Sequence, residues 1–446
     1  MHLTNKKISI VGAGLVGSLL SIFLSRQGAK VSIFDKRDDI RLEENGAGRS
    51  INLALSNRGI LALNQLGIAD QIMSISMPMY KRVMHADNGS LSEQDYGQKD
   101  QAIYSVSRQN LNAKLIELAE SEGVNMFFKT NCVGLNIDKT ELHFSRHESI
   151  ASDFIFGTDG AGSVIRKHLS KNSSEINIEE NLINHGYKEL TIPANSDGSH
   201  KLKNDALHIW PRKSFMVIAL PNLDGTFTCT LFAPLKGENS FLSLKNNQDI
   251  DVFFKKYFNN LASLIPDLSD QYIHNPLGSL GFVRCSSWKK NNIILLGDAC
   301  HATVPFYGQG MNSGFEDCFL FNEFINKNYR IDNSIDKFLS DRIINTKAMQ
   351  DLSMNNYIEM RDKTACPRFL LKKKIEQWFS EKHSNKWIPL YSMVTFSKLP
   401  YSIALKKGKI QDDIMEKLMK KNELSPPFSE EELILKDIEA QMLAFL

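Results

Sequence analysis

The residues best suited to chemistry in this sequence sit close together. Between Leu295 and Asp317 the run LLGDACHATVPFYGQGMNSGFED places Asp298, Cys300 and His301 on one turn, then follows Pro305, Phe306 and Tyr307 with glycines at 308, 310 and 314. Three chemistries compete for such a stretch. As metal ligands, Asp298, Cys300 and His301 fail on geometry, because side chains so close on one turn point apart and no further His or Cys follows at ligand spacing. As a nucleophile's elbow, the stretch lacks the G-x-S-x-G pattern. As a cradle it fits. A helix starting after Pro305, with glycines baring its first backbone N–H groups, favours a negative charge at its N-terminus by about 0.3–1 kcal/mol, and by more where partly buried. Cys300 and His301 then read as structural.

The elements that must hold such a cradle give the clearest signal in the chain. In KKISIVGAGLVGSLLSIFLSRQGAKVSIFDKR, Ile8 to Val11 form a buried strand and Gly12, Gly14 and Gly17 spell G-x-G-x-x-G. A helical run follows, and KVSIFD makes a second strand ending at Asp35. The first glycine permits the turn, the second lets backbone approach a pyrophosphate, and the third lets helix pack on strand. Asp35, eighteen residues after Gly17, is placed to accept hydrogen bonds from a ribose. Two more apolar strands end in acids: SDFIFGTDGAGSVIRK runs into Asp159-Gly160, and NNIILLGDACH runs into Gly297-Asp298. Open parallel sheets bind ligands at the carboxyl ends of their strands. One long ligand meeting three strand ends suits FAD better than NAD. Asp298 would then meet its ribityl chain, and the backbone of Gly308 to Asn312, through Gly310, Met311 and Asn312, would lie beneath the ring, whose reduced form is negative along its pyrimidine edge.

Composition narrows the class. With 446 residues, 42% hydrophobic and 23% charged, the chain reads as globular, and a net charge of +2 makes no electrostatic case for nucleic acid. The cysteines at 132, 229, 285, 300, 318 and 366 form no C-x-x-C pair, which argues against a zinc ribbon or dithiol motif and for a reducing, cytoplasmic compartment. The N-terminus enters a strand pattern within a few residues, so no signal peptide is expected, and no apolar run reaches the roughly 18 residues that a transmembrane helix needs. The run KKGKIQDDIMEKLMKKNELSPPFSEEELILKDIEAQMLAFL reads as amphipathic helix, either solvated or lying on a membrane surface.

In order and spacing, the nucleotide-binding start, the Asp159-Gly160 strand and the Gly297-Asp298 strand with its Pro305 loop resemble the single-component FAD-dependent aromatic hydroxylases. GAGRSINLALSNRG (Gly46 to Gly59), YSVSRQNLN (Tyr104 to Asn112), HATVPFYGQGMNSGFED and IPLYSMVTFS narrow the resemblance to the branch that acts on L-kynurenine in tryptophan degradation. Asp35 stands where Glu is usual in that branch, and Cys300 where Ala is common; carboxylate and small size are kept. The resemblance implies bound FAD, NADPH as a transient co-substrate without a domain of its own, dioxygen, and hydroxylation at ring carbon 3 through a flavin C(4a)-hydroperoxide. It further implies that Arg82, Tyr96, Asn356 and Tyr391 hold the substrate carboxylate, that Arg108 contacts the flavin, and that Pro305, Phe306 and Tyr307 wall the pocket. No side chain is implied as an obligatory acid or base. The membrane-anchoring extension of the family's mitochondrial members has no counterpart, so a soluble protein is expected.

The expected architecture is α/β. A Rossmann-like FAD-binding domain takes 1–77, 100–175 and 284–330. A substrate domain at 78–99 and 176–283 is built on an antiparallel sheet from strands such as ALHIWP, SFMVIALP and TFTCTLFAP. A mainly helical region, 331–446, closes the pocket. Two other functions fit the flavin motifs: a related hydroxylase of another aromatic carboxylate, and a flavin-binding regulatory module with no small substrate.

Overall fold

A computed structural model describes residues 3–42, 52–97, 101–173, 175–328, 335–362, 367–424 and 437–445. Gly46 to Ile51 of the GAGRSINLALSNRG run, Cys366, and 425–436 of the C-terminal run lie outside the described residues.

Near-continuous apolar runs make the first sheet. Ile8, Ile10, Ile33, Ile155, Phe156, Ile293 and Ile294 are buried, as in a parallel sheet covered on both faces. Its strand order is Lys289–Lys290, Ile293–Leu295, Phe154–Gly157, Lys7–Val11, Lys30–Phe34, Asn125–Phe127. All pairs are parallel except the first, and Ile10 lies opposite both Phe156 and Ile33. Gly12, Asp35, Asp159 and Gly297 therefore emerge from one end of the sheet. The Leu15–Arg26 helix joins the first two parallel strands and buries Leu15, Gly17, Leu19, Leu20, Ile22 and Phe23.

The second sheet has seven strands in the order Gly278–Cys285, Ile178–Ile192, Phe227–Pro234, Phe215–Pro221, Ala206–Arg212, Lys81–His85, Leu91–Asp95. It is antiparallel apart from the pairing of Ala206–Arg212 with Lys81–His85. Side chains alternate between its faces. Leu190, Ile192, Val217, Ala219, Cys229 and Leu231 pack under the Asn247–Tyr257 helix with Ile250, Phe253 and Phe254. Tyr187, Met216, Ile218 and Phe232 face the other way, onto Phe306 and Tyr357. One face is thus the sheet's own core and the other roofs a site.

The helices Ile335–Asp362, Pro367–Lys382, Leu390–Thr395 and Tyr401–Lys421 follow. Within the last, Tyr401, Ala404, Gly408, Met415 and Leu418 are buried at helical spacing, and the apolar side of its second half packs on Leu371, Ile375, Phe379 and Trp387. Among the described residues no helix is long and apolar enough to cross a membrane.

Candidate active site

Each glycine of the first turn has a separate constraint. Gly12 adopts φ +105°, and a Cβ there would lie 2.7 Å from the Thr158 carbonyl oxygen. A Cβ on Gly17 would lie 2.0 Å from the Gly12 carbonyl oxygen and 2.6 Å from Thr158 Oγ1. A Cβ on Gly14 would meet no protein atom within 4 Å. The fold itself demands glycine at 12 and 17; at 14 the demand comes from whatever approaches from outside, as a pyrophosphate would.

The acids divide by what already occupies them. Asp35 accepts from the Ala13 N–H at 2.8 Å, and from the N–H, Nε and Nη2 of Arg37 at 2.9, 3.0 and 2.8 Å. Burial pushes its carboxyl up, but these bonds outweigh burial and hold it below the ordinary value. A ribose hydroxyl would share Asp35 with Arg37, whose side chain is largely exposed. Asp159 accepts from Ser163 Oγ at 2.5 Å and from the Val164 N–H at 2.6 Å, so its carboxylate is committed to the start of the Val164–Lys171 helix. Burial raises its carboxyl against those bonds. What this turn offers a cofactor is therefore backbone. Asp298 is exposed, and no described residue donates to it; its lone pairs remain available to hydroxyl groups.

The helix after the Pro305 loop runs from Gly310 to Asn328. Its first internal bond is Ser313 N–H to the Gln309 carbonyl at 2.8 Å, which leaves the N–H groups of Gly310, Met311 and Asn312 without a helical acceptor. The Asn312 side chain is fully spent: its oxygen accepts from the Ser56 N–H at 2.9 Å and its amide donates to the carbonyls of Ala54 and Gly308 at 2.8 and 2.7 Å. Asn312 thus builds the cradle and can face a ring only through backbone. Cys300 is buried, with its thiol pushed well up by burial and by Asp317. His301 Nε2 lies 2.6 Å from Asp317 Oδ2, so both side chains turn away from Asp298. These groups fit FAD: an open Gly14 for pyrophosphate, an unpartnered Asp298 for the ribityl hydroxyls, and bare N–H groups for the pyrimidine edge.

Beneath the second sheet lies a cluster of aromatic side chains. Arg82 projects from Lys81–His85, its guanidinium 4.8 Å from the Tyr96 ring centroid and 4.3 Å from that of Tyr391. The two rings stack at 5.4 Å, and Tyr391 stacks on Tyr307 at 5.6 Å. Burial pushes the Tyr96 hydroxyl up, against the opposing pull of Arg82. No described carboxylate pairs with Arg82, whereas the buried Arg58, Arg166 and Arg342 each have one. Asn356 donates to the Phe306 carbonyl at 2.6 Å, which fixes the Phe306 backbone; Phe306 stacks on Tyr357 at 4.3 Å. Phe306 and Tyr307 are buried and Pro305 is exposed. Arg108 is exposed at the start of the Arg108–Ser121 helix and electrostatically near Tyr187 and Glu189.

Sequence reasoning passed over three residues here. Asn112 donates to the Ala13 carbonyl at 3.0 Å and steadies the glycine turn; it closes the YSVSRQNLN run, so the motif carried the signal. Tyr357 lies next to Asn356. Glu189, on the site face of its strand, has its carboxyl raised to about 7 by burial against the opposing pull of Arg108, and nothing local in the sequence marks it. A separate cavity of about 320 Å³, lined in part by Arg284, Cys285, Trp288, His301, Lys347 and Gln350, contains none of the residues expected at flavin or substrate.

Residues 5–240 and 262–337 match the family described as FAD binding domain. The fold is shared with 2-methyl-3-hydroxypyridine-5-carboxylic acid oxygenase in its tetrameric form, at a TM-score of 0.67 and 20% identity over 81% of this chain and 94% of that one. The family match and the cradle together make this chain a flavoprotein that uses FAD. Across 423 residues it is 48% identical to kynurenine 3-monooxygenase of Christiangramia forsetii, covering 93% of this chain and 94% of the relative. Over 438 residues it is 39% identical to the enzyme of that name from Dictyostelium discoideum, covering 94% and 95%. The chain belongs to the kynurenine 3-monooxygenase family.

Proposed function

We propose that this chain hydroxylates L-kynurenine at ring carbon 3, with Arg82, Tyr96 and Tyr391 receiving the substrate's carboxylate. The observation that carries the assignment is Arg82 itself: a half-buried cation set against two tyrosine rings, with no described carboxylate beside it. Buried charges are ordinarily paired, and a carboxylate arriving with the substrate supplies the partner. The aniline ring then lies along Met216, Ile218, Phe232, Phe306 and Tyr357, an apolar slot of the right chemistry.

The chemistry that bound FAD would supply is hydride acceptance from NADPH and activation of dioxygen for insertion into the ring. The chain's own residues do the rest. Gly14 admits the pyrophosphate, Asp298 accepts from the ribityl hydroxyls, Arg108 contacts the flavin, and the backbone of Gly310 to Asn312 meets the ring's negative edge. Phe306 and Tyr307 keep water from the reacting carbon, and Asn356 serves the substrate indirectly by fixing the Phe306 backbone. No protein acid or base is required, because the substrate's amine donates electron density to the carbon beside it. In this reading the flavin domain comprises 1–77, 100–175 and 284–330, the substrate domain 78–99 and 176–283, and the helical cap 331–446. Among the described residues five cysteines are free and buried, which supports a reducing, cytoplasmic setting.

The test is a visible spectrum of the purified protein, followed by NADPH consumption with and without kynurenine and identification of the product. Kynurenine-stimulated oxidation yielding 3-hydroxykynurenine is expected. A yellow protein whose NADPH oxidation kynurenine leaves unchanged would overturn the assignment.

A further inference from the structure

Arg58 closes the SNRG end of a sequence run to which neither flavin nor carboxylate gives a task, yet it is among the most deeply buried charges in the chain, 1% exposed. Its Nε donates to the Val394 carbonyl at 2.6 Å, and its Nη2 to the carbonyls of Met393, at 3.4 Å, and Leu399. Met393 and Val394 lie in the last turn of the Leu390–Thr395 helix, where carbonyls lack helical partners and a cation is favoured. That short helix carries Tyr391. The guanidinium also lies 4.0 Å over the Tyr401 ring, and Tyr401 donates to Gln309 Oε1 at 2.9 Å, at the threshold of the flavin cradle.

Arg58 does not stand alone. Its Nη1 meets Glu316 Oε1 at 2.6 Å, Glu316 Oε2 meets Arg342 Nη1 at 2.8 Å, Arg342 Nη2 meets Asp317 Oδ1 at 2.6 Å, and Asp317 Oδ2 meets both His301 and, at 3.1 Å, the Gly297 N–H. Burial would raise the Asp317 carboxyl, but His301 and Arg342 outweigh it and hold it below the ordinary value. A continuous chain of ion pairs and hydrogen bonds, buried except for a partly exposed Glu316, thus runs from the turn that presents Asp298 to the end of the helix that presents Tyr391. Every link is side chain to side chain or side chain to backbone.

We infer that Arg58 is a positioning residue for substrate: it sets the Leu390–Thr395 helix so that Tyr391 faces Arg82, and through Glu316 it ties that placement to the flavin turn. The inference rests on the carboxylate reading of Arg82 and Tyr391. It concerns affinity, because Arg58 touches neither substrate nor cofactor. Lysine keeps the charge of Arg58 but cannot span Glu316 and three carbonyls at once.

The experiment uses flavin-loaded, full-length protein and measures the kynurenine Kd from the change that substrate causes in the flavin spectrum. Arg58→Lys should raise Kd by about tenfold while flavin content stays at the parent level, and in a Tyr391→Ala background the same change should raise it by less than about twofold, since the side chain it places is gone. Glu316→Gln, which keeps volume and one hydrogen bond, should give the same pattern more weakly and stands in should Arg58→Lys fail to fold. If Tyr391→Ala weakens binding while the Arg58 and Glu316 variants bind like the parent, or if the losses multiply independently, positioning is refuted and the carboxylate reading survives. If Tyr391→Ala and Arg82→Ala both bind like the parent, the carboxylate reading falls, and the inference falls with it.

Discussion

Replacing Arg82 by alanine should weaken kynurenine binding without weakening the fold, and the combination separates a binding cation from a structural one. A charge-assisted hydrogen bond contributes roughly 1.5–3 kcal/mol, so the loss corresponds to about tenfold to a few hundredfold in Kd. The fold loses two ring contacts, worth about 0.5–2 kcal/mol each when desolvated, and is relieved of a half-buried cation with no described carboxylate at its side. These effects oppose one another, so Tm should move by no more than about 2–4 °C. Arg342 gives the contrast: alanine there removes the cation that Glu316 and Asp317 share, leaving only Arg58 to the one and His301 to the other, at a cost of about 3–5 kcal/mol. Arg82→Lys should recover little affinity, because a single ammonium cannot reproduce the flat guanidinium set against two rings. The assay is kynurenine titration of the oxidised flavoprotein beside a thermal melt. Parent-like Kd in both Arg82 variants, or a melting temperature that collapses in Arg82→Ala, would refute the argument.

Three further outcomes are expected. Gly14→Val should give a folded protein that purifies colourless, because a Cβ there meets no protein atom within 4 Å and the side chain fills the pyrophosphate's approach, whereas Gly17→Ala should unfold the domain by striking the Gly12 carbonyl; full flavin absorbance in Gly14→Val would contradict this. Glu189, with its carboxyl raised from the ordinary 4.5 to about 7 by burial, stabilises the fold fully below pH 4.5, and that contribution disappears as pH rises through about 7. Melting curves of Glu189→Gln should therefore lack a decline that the parent shows between those values, and parallel curves would dispose of the assignment. An analogue with the kynurenine side chain on a bare phenyl ring should stimulate NADPH consumption while releasing hydrogen peroxide; its efficient hydroxylation would send the search back to a protein base.

The first strand, glycine turn, helix and second strand were legible because every constraint on them is local: apolar runs, three glycines and an acid within one supersecondary unit. Asp159 and Asn312 were harder. Their positions beside the cradle follow from sequence order, but whether a carboxylate or amide serves a ligand or a neighbouring N–H depends on donors the fold brings up, and here Val164 and Ser56 reach them first. Asn356 shows the same thing from the far side of the pocket, where the carbonyl of Phe306 takes its amide. Arg58 was illegible in principle. Its partners lie 258 to 341 positions along the chain, and no periodicity or spacing rule spans that distance.

The unpaired guanidinium of Arg82 has a consequence at the bench. With no described carboxylate beside it, it offers any planar anion the contacts expected for the substrate's carboxylate, and kynurenine would have to displace whatever binds there. Acetate, formate or benzoate in the medium should raise the apparent KM in proportion to their concentration and leave the maximal rate alone, while a bulky sulfonate buffer should not. Affinities measured in different buffers would then disagree for a reason built into the site, and extrapolation to zero carboxylate would bring them together.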